Sequence, residues 1–157
     1  MYAQRADSGQ RPASAAVRAL LERERAAGMS EVDFYRGFQV RVAQVRDEFL
    51  GFLIATRRAG KRLAAYGAAA KGNTLLNYAG VRADAIEFVA DRNPAKQGRF
   101  LPGSRIPVVA ESQLRVARPD YVLILPWNLR AELSMQLDYV RVWGARLVTA
   151  VPALEVL

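Results

Sequence analysis

A single lysine within a turn of small residues is the feature of this sequence with the clearest chemical capability. Lys71 follows residues 67–70 and precedes Gly72 and Asn73. The residues before this turn are typical of a buried strand and those after it of a helix, so backbone N–H groups, a helix N-terminus and one ammonium meet at one point. This combination predicts a binding site for an anion such as a phosphate.

The residues of the turn have separate expected roles. Gly67 and Ala68 allow a ligand to approach the backbone closely. Lys71 acts as a point charge, and Asn73 either caps the helix or donates to a ligand oxygen. The spacing matches neither the G-x-G-x-x-G dinucleotide motif nor a P-loop, because Lys71 precedes Gly72. A tight turn with a merely solvated lysine is an equal alternative.

A second polar loop, residues 91–98, follows another predicted strand. Asp91 lies about 24 residues after the first glycine of the lysine turn, where a dinucleotide fold places its ribose-binding acid, and this spacing suggests NAD. The favoured alternative is an Asx turn formed by Asp91 and Asn93. Lys96 and Gln97 are expected to be mobile and able to reach a ligand.

A third loop follows the apolar residues 121–125. In this loop, Trp127 is expected either to stack on a planar ring or to pack at the end of the sheet, and packing is favoured. Asn128 is expected to cap the following helix. Loops at the carboxyl ends of parallel strands lie at one edge of a sheet, so the three loops form one candidate binding site.

The chain contains no histidine and no cysteine. No nucleophile–base pair can therefore be assembled, and no pair of carboxylates stands out. Disulfides and thiolate zinc sites are excluded as well. We predict no catalytic residue, no metal ligand and no cofactor-binding residue in this chain.

Charge and hydropathy limit the expected partners. The net charge is +8, but the basic residues are scattered, which favours compositional bias over a nucleic-acid partner, with a small anionic ligand as the next alternative. The longest apolar run, residues 121–127, is too short to span a bilayer. The N-terminus has no apolar secretory segment, so we expect a cytoplasmic protein with no membrane partner.

The elements that position the loops follow from the spacing of apolar residues. Helices are predicted over about residues 12–27 and 31–58, and the second carries an apolar face expected to be core. The members of this face are Phe34, Phe38, Val42, Val45, Phe49 and Phe52.

After Gly60 the pattern alternates between strands and helices, which predicts an α/β fold with a mainly parallel sheet. The predicted strands are residues 62–66, 85–90, 106–109, 121–125 and 147–151, with an edge at 155–157. The predicted helices are residues 73–79, 111–116 and 129–143.

Several segments occur together in this sequence in one order. They are residues 33–35, residues 66–77, residues 91–98, Pro102-Gly103, residues 106–108 and residues 125–128. Over about residues 11–157 the chain thereby resembles the C-terminal domain of S-adenosylmethionine-dependent sugar C-methyltransferases. The resemblance implies a Rossmann-like domain over residues 60–157, a helical extension over 11–59, and a tail over 1–10 left from an upstream domain.

In that family, the resemblance implies, a small domain binds zinc through cysteines and a middle domain binds S-adenosylmethionine and abstracts the proton. The resulting enolate-like carbanion takes the methyl group. This chain has neither domain, so we expect a fragment that is inactive alone. Zinc and S-adenosylmethionine would then belong to the missing upstream methyltransferase domains, which are expected partners in the same chain or another.

The resemblance implies that this domain binds a nucleotide-diphosphate sugar, namely a keto-deoxysugar. The candidate substrate-binding residues are Gly67, Ala68, Lys71, Gly72, Asn73, Asn93, Lys96, Trp127 and Asn128. Two other classes remain open. The absent glycine motif and the aromatic helix favour a non-catalytic interaction domain that forms a homo-oligomer, and Asp91 favours an NAD-binding regulatory domain.

Overall fold

The computed structural model describes residues 4–9 and 12–157. Residues 1–3 and 10–11, which belong to the predicted tail and the start of the predicted extension, lie outside the described residues. The chain divides into two compact units, residues 1–41 and 42–157. The domain boundary expected near residue 60 stays a prediction.

The helical extension contains more breaks than its apolar spacing predicts. A 3₁₀ turn spans Ala6–Ser8, and helix α1 spans Ala15–Ala26. The helix predicted over 31–58 is in fact two, α2 (Val32–Arg36) and α3 (Phe38–Arg58). The break falls at Gly37, since glycine is a poor helix former.

The apolar face of the second predicted helix is buried in the core only at its C-terminal end. Phe49 is fully buried and Phe52 packs against the core, as predicted. Phe34 and Phe38 are instead 41% and 58% exposed, which corrects that expectation. The buried core begins at Phe49, so the aromatic residues that precede it on this face lie outside it.

A six-stranded sheet forms the second unit, in the order β3-β2-β1-β4-β5-β6. The first five strands run parallel, and β6 pairs antiparallel with β5. The strands are β1 (Leu63–Tyr66), β2 (Val89–Ala90), β3 (Val108–Val109), β4 (Tyr121–Ile124), β5 (Arg146–Thr149) and β6 (Glu155–Val156). This topology confirms the predicted α/β, Rossmann-like fold with a mainly parallel sheet.

The helices between the strands differ from prediction at their ends. They are α4 (Ala70–Tyr78), α5 (Ser112–Ala117) and α6 (Arg130–Gln136), and 3₁₀ turns span Trp127–Leu129 and Asp138–Trp143. The helix predicted over 129–143 is thus broken at Leu137, after which the second 3₁₀ turn begins. The strand predicted over 85–90 is shorter in the structure, where it is β2. Its predicted first residue instead belongs to a turn, in which the N–H of Ala85 donates to Arg82 O.

The two faces of the sheet bury two separate cores. Side chains alternate along β1, so Leu63 and Ala65 join the core that includes Phe49 and Leu76, whereas Tyr66 joins the other. Leu76 belongs to α4, so α4 and Tyr66 lie on opposite faces. Within the described residues, every helix is too short or too polar to cross a lipid bilayer.

Candidate functional site

The strand order reverses between β1 and β4. From β1 the chain proceeds outward to β2 and β3, and then returns to place β4 on the other side of β1. In open parallel sheets, ligands bind beyond the carboxyl ends of the strands at such a reversal. The loops that leave β1 and β4, residues 67–69 and 125–126, therefore flank the expected ligand position.

Lys71 and Asn128 meet across this reversal. Lys71 lies in the first turn of α4, and its Nζ donates to Oδ1 of Asn128 at 2.6 Å. The same Nζ is 5.6 Å from the ring centroid of Trp127, within the range of a cation–π interaction. Among the described residues no carboxylate pairs with Lys71. Its positive charge is thus uncompensated at this edge of the sheet.

Asn128 is not a helix cap, contrary to prediction. Its position lies inside the 3₁₀ turn Trp127–Leu129, and the residue that precedes α6 is Leu129. The side-chain oxygen of Asn128 accepts from Lys71 instead of from the backbone of the following helix. The 3₁₀ turn after β4 explains the difference, because it moves the start of α6 one residue onward, from 129 to Arg130.

The two glycines of the lysine turn allow its neighbours to pack closely. A Cβ at Gly67, whose φ is +83°, would lie 2.7 Å from Cδ of Pro126. A Cβ at Gly72 would lie 2.5 Å from Cβ of Leu125. Both positions thus permit contact with the loop that leaves β4. A contact between either glycine and a ligand stays a prediction.

The backbone donors of the turn are mostly used within the chain. The N–H of Gly67 donates to Ala90 O at 2.8 Å, and that of Ala68 to Oδ2 of Asp91 at 2.7 Å. Helix α4 begins at Ala70, three residues before its predicted start, because alanine and lysine favour the helical conformation. No acceptor for the N–H groups of residues 70–72 is found in the described part of the chain, as expected of a first helical turn. The free donors therefore belong to α4 itself.

Asn73 lies inside α4 and does not cap it, which corrects the capping alternative. Its N–H donates to Ala69 O at 3.0 Å, and Ala69 is the residue that precedes the helix. Its buried Oδ1 has no hydrogen-bond partner among the described residues. Asn73 is not the cap because α4 starts earlier than predicted, which places this residue inside the helix.

Asp91 forms the predicted Asx turn and more. Its Oδ1 accepts from the N–H of Asn93 at 2.8 Å, and Oδ1 of Asn93 accepts from Ala95 at 3.0 Å. Its Oδ2 accepts from Ala68 and from Nζ of Lys96, the latter at 3.2 Å. Burial alone would raise the pKa of Asp91, but donation from Asn93, Ala68 and Lys96 outweighs it and the pKa is lowered. Both oxygens of this buried carboxylate are thus occupied by the chain.

The two residues expected to be mobile are anchored. Nζ of Lys96 donates to Ala68 O at 2.9 Å as well as to Asp91. Nε2 of Gln97 donates to Asp91 O at 2.9 Å. The sequence did not reveal these contacts for two reasons. The Asp91 acceptors lie in the same loop, which folds back on itself, and Ala68 follows a different strand.

A second polar cluster at the same edge is not evident from the sequence. Oε2 of Glu111 accepts from the hydroxyl of Tyr66 at 3.0 Å and from Nε of Arg92 at 2.8 Å, and Oε1 accepts from Tyr139 at 3.2 Å. Gln136 donates to the Tyr66 hydroxyl. Burial and then the bond to Glu111 raise the pKa of Tyr66 to about 12. The one signal in the sequence is Tyr66, the single residue with a polar side chain in the otherwise apolar strand β1.

The chain offers little to a metal ion or to S-adenosylmethionine. It has no histidine or cysteine, and in the described residues no three acidic side chains converge on one point. Asp91, which stands where a cofactor ribose would need an acceptor, is held by the backbone and Lys96. The expected absence of metal-ligating and cofactor-binding residues stays a prediction.

The sequence matches a family of known proteins. Residues 1–152 match the family described as the C-methyltransferase C-terminal domain. The chain is also 36% identical over 147 residues to the C-methyltransferase NovU of Streptomyces niveus. This match covers 94% of the chain but 34% of NovU, so the chain spans about a third of that relative's length.

Proposed function

The chain belongs to the C-methyltransferase C-terminal domain family, and on that premise we propose that it binds the nucleotide-linked keto-deoxysugar on which such an enzyme acts. The observation that carries the proposal is the uncompensated ammonium of Lys71 beside Trp127 at the strand reversal. The proposed partner is the upstream methyltransferase part, which would hold S-adenosylmethionine and perform the transfer. The chain alone is expected to methylate nothing.

The proposed ligand contacts follow from the chemistry of a nucleoside diphosphate. The diphosphate meets the Lys71 ammonium and the free N–H groups of residues 70–72, where the helix dipole favours negative charge. Each charge-assisted hydrogen bond of this kind contributes about 1.5–3 kcal/mol. The ring of Trp127 offers a planar apolar surface next to the phosphates. Asn128 holds the ammonium in place.

Calorimetric titration with deoxythymidine diphosphate tests this proposal. Lys71→Ala should weaken binding by about 10- to 100-fold, the equivalent of one charge-assisted hydrogen bond. Lys61→Ala is the matched control, since Nζ of Lys61 pairs with Asp120 before β1 and β4, at the opposite edge of the sheet. It removes the same charge and should leave the affinity unchanged.

Two results would contradict the proposal. Equal affinities of the native protein and Lys71→Ala would remove the role of the lysine. A native protein that binds no deoxythymidine diphosphate at millimolar concentration would remove the ligand class itself.

A second candidate function is an interaction domain, and exposed apolar side chains favour it. Val32, Phe38 and Val40 are all exposed in and after α2. A stable homo-oligomer in light scattering, together with no binding of any nucleotide, would favour this candidate over the first.

A further inference from the structure

One buried carboxylate and one ammonium hold both polar groups of a single peptide residue. The N–H of Ala68 donates to Oδ2 of Asp91 at 2.7 Å, and the carbonyl of Ala68 accepts from Nζ of Lys96 at 2.9 Å. Asp91 and Lys96 are themselves paired, with Nζ 3.2 Å from Oδ2. Ala68 is thus clamped by an ion pair from the loop that follows β2.

This clamp lies directly before the helix that carries Lys71. Ala69 is the residue that precedes α4, and Lys71 is the second residue of that helix. A constraint on Ala68 therefore fixes where the helix begins. The start of the helix in turn fixes the distance from the Lys71 ammonium to Trp127 and Asn128.

We propose that Asp91 and Lys96 are positioning residues, which clamp Ala68 and thereby hold Lys71 in place without contacting the ligand themselves. The proposal rests on the proposed function for the identity of the ligand. Asp91 is 8% exposed and each of its oxygens already accepts a hydrogen bond from the chain, so little of this carboxylate is open to a ligand hydroxyl. Two of the three N–H bonds of the Lys96 ammonium are likewise used by acceptors on the chain.

The substitution Asp91→Asn separates positioning from simple electrostatics because the two effects have opposite signs. Removal of a negative charge near an anion site should by itself strengthen anion binding. Loss of the clamp should weaken binding, since an amide at position 91 neither pairs with Lys96 nor accepts as strongly from Ala68. The direction of the change in affinity therefore identifies the role.

The experiment uses deoxythymidine diphosphate and protein labelled with 5-fluorotryptophan. Asp91→Asn and Lys96→Met should each weaken binding by about tenfold, and the double variant should be no weaker than either, since one clamp is lost in each case. Lys61→Ala should match the native affinity. The ¹⁹F resonance of Trp127 should shift in both variants, because the ammonium over its ring moves. The resonance of Trp143, whose Nε1 donates to Pro119 O, is the internal reference and should not shift.

Three outcomes would overturn the proposal. They are an unchanged or higher affinity in Asp91→Asn, additive losses in the double variant, and a Trp127 resonance that stays in place. If native protein binds no deoxythymidine diphosphate, the proposed function fails, but the Trp127 resonance still decides the positioning role. If Asp91→Asn does not fold, the Trp127 resonance of Lys96→Met carries the test, since the affinity of that variant would fall through loss of charge alone. The Lys96 side chain is half-exposed, so this variant is expected to fold.

Discussion

The Lys71 ammonium and the Asn128 carboxamide are joined by a hydrogen bond of 2.6 Å between residues that follow two adjacent strands. A neutral acceptor orients the lysine and leaves its full charge available. A carboxylate in the same place would orient it equally well but would cancel that charge. The choice of asparagine therefore matters for any anion that binds here.

Asn128→Asp should weaken deoxythymidine diphosphate binding because it gives Lys71 an opposite charge at hydrogen-bond distance. We expect a loss of about tenfold, which should shrink as salt screens the new charge. Asn128→Ala removes the hydrogen bond without adding a charge and is the control. Calorimetry at low and high salt measures both. Equal losses in the two variants would show that orientation, and not charge, determines the affinity.

Gly67→Ala should destabilise the protein by about 2–4 kcal/mol. The substitution combines strain at a positive φ with a clash against the Pro126 ring, which lies 2.7 Å from the added methyl group. Gly60→Ala is the matched control, since Gly60 has φ +66° and nothing within 4 Å of the added carbon. Urea unfolding of both variants isolates the clash as the difference between them. Equal free energies of unfolding would mean that Pro126 moves aside without an energetic cost.

Asp91 should contribute to the loss of stability in acid. Its folded-state pKa is lowered, so its contribution is present above the ordinary aspartate value of about 3.8 and is lost as pH falls through the folded-state pKa. Asp91→Asn should be less stable than native protein at pH 7 but should lose less on acidification. Urea unfolding from pH 7 to pH 3 measures this. Parallel profiles for the two proteins would contradict the prediction.

Tyr66 should make the protein sensitive to alkali. Its folded-state pKa is raised from 10.0 to about 12, so it stabilises the fold below pH 10 and loses that contribution as pH rises towards 12. Tyr66→Phe should be less stable at pH 8 by about 1–2 kcal/mol, because Gln136 and Glu111 lose a partner. The native free energy of unfolding should fall more steeply than that of the variant above pH 10. Tyr35→Phe, which removes an exposed phenol, is the control.

The sequence predicts the fold well because its strands are buried on both faces. The apolar residues 121–125 and the small residues before Gly67 are typical of central parallel strands. The parallel direction of these strands follows from the helical segments predicted between them. The ends of the elements are harder to predict, since Ala70 and Lys71 favour the helical conformation, yet the glycines on either side of them indicated a turn.

The site is less predictable because its contacts join distant residues. Ala68 and Asp91 are separated by 23 positions, and nothing in the local spacing indicates which N–H that carboxylate accepts. Lys96 resembles a solvated lysine in sequence, yet its ammonium is held by two acceptors. Such pairings depend on the register of β1 against β2, which the sequence specifies only through the whole sheet.

The absence of a side chain at Gly72 sets the distance between α4 and Leu125 of the neighbouring loop. Any larger residue there would push against Leu125, raise the helix and carry the lysine outward with it. A redesign of this domain for a different ligand would accordingly leave that position untouched. It would instead vary exposed residues near the lysine, whose substitution adds nothing between α4 and Leu125.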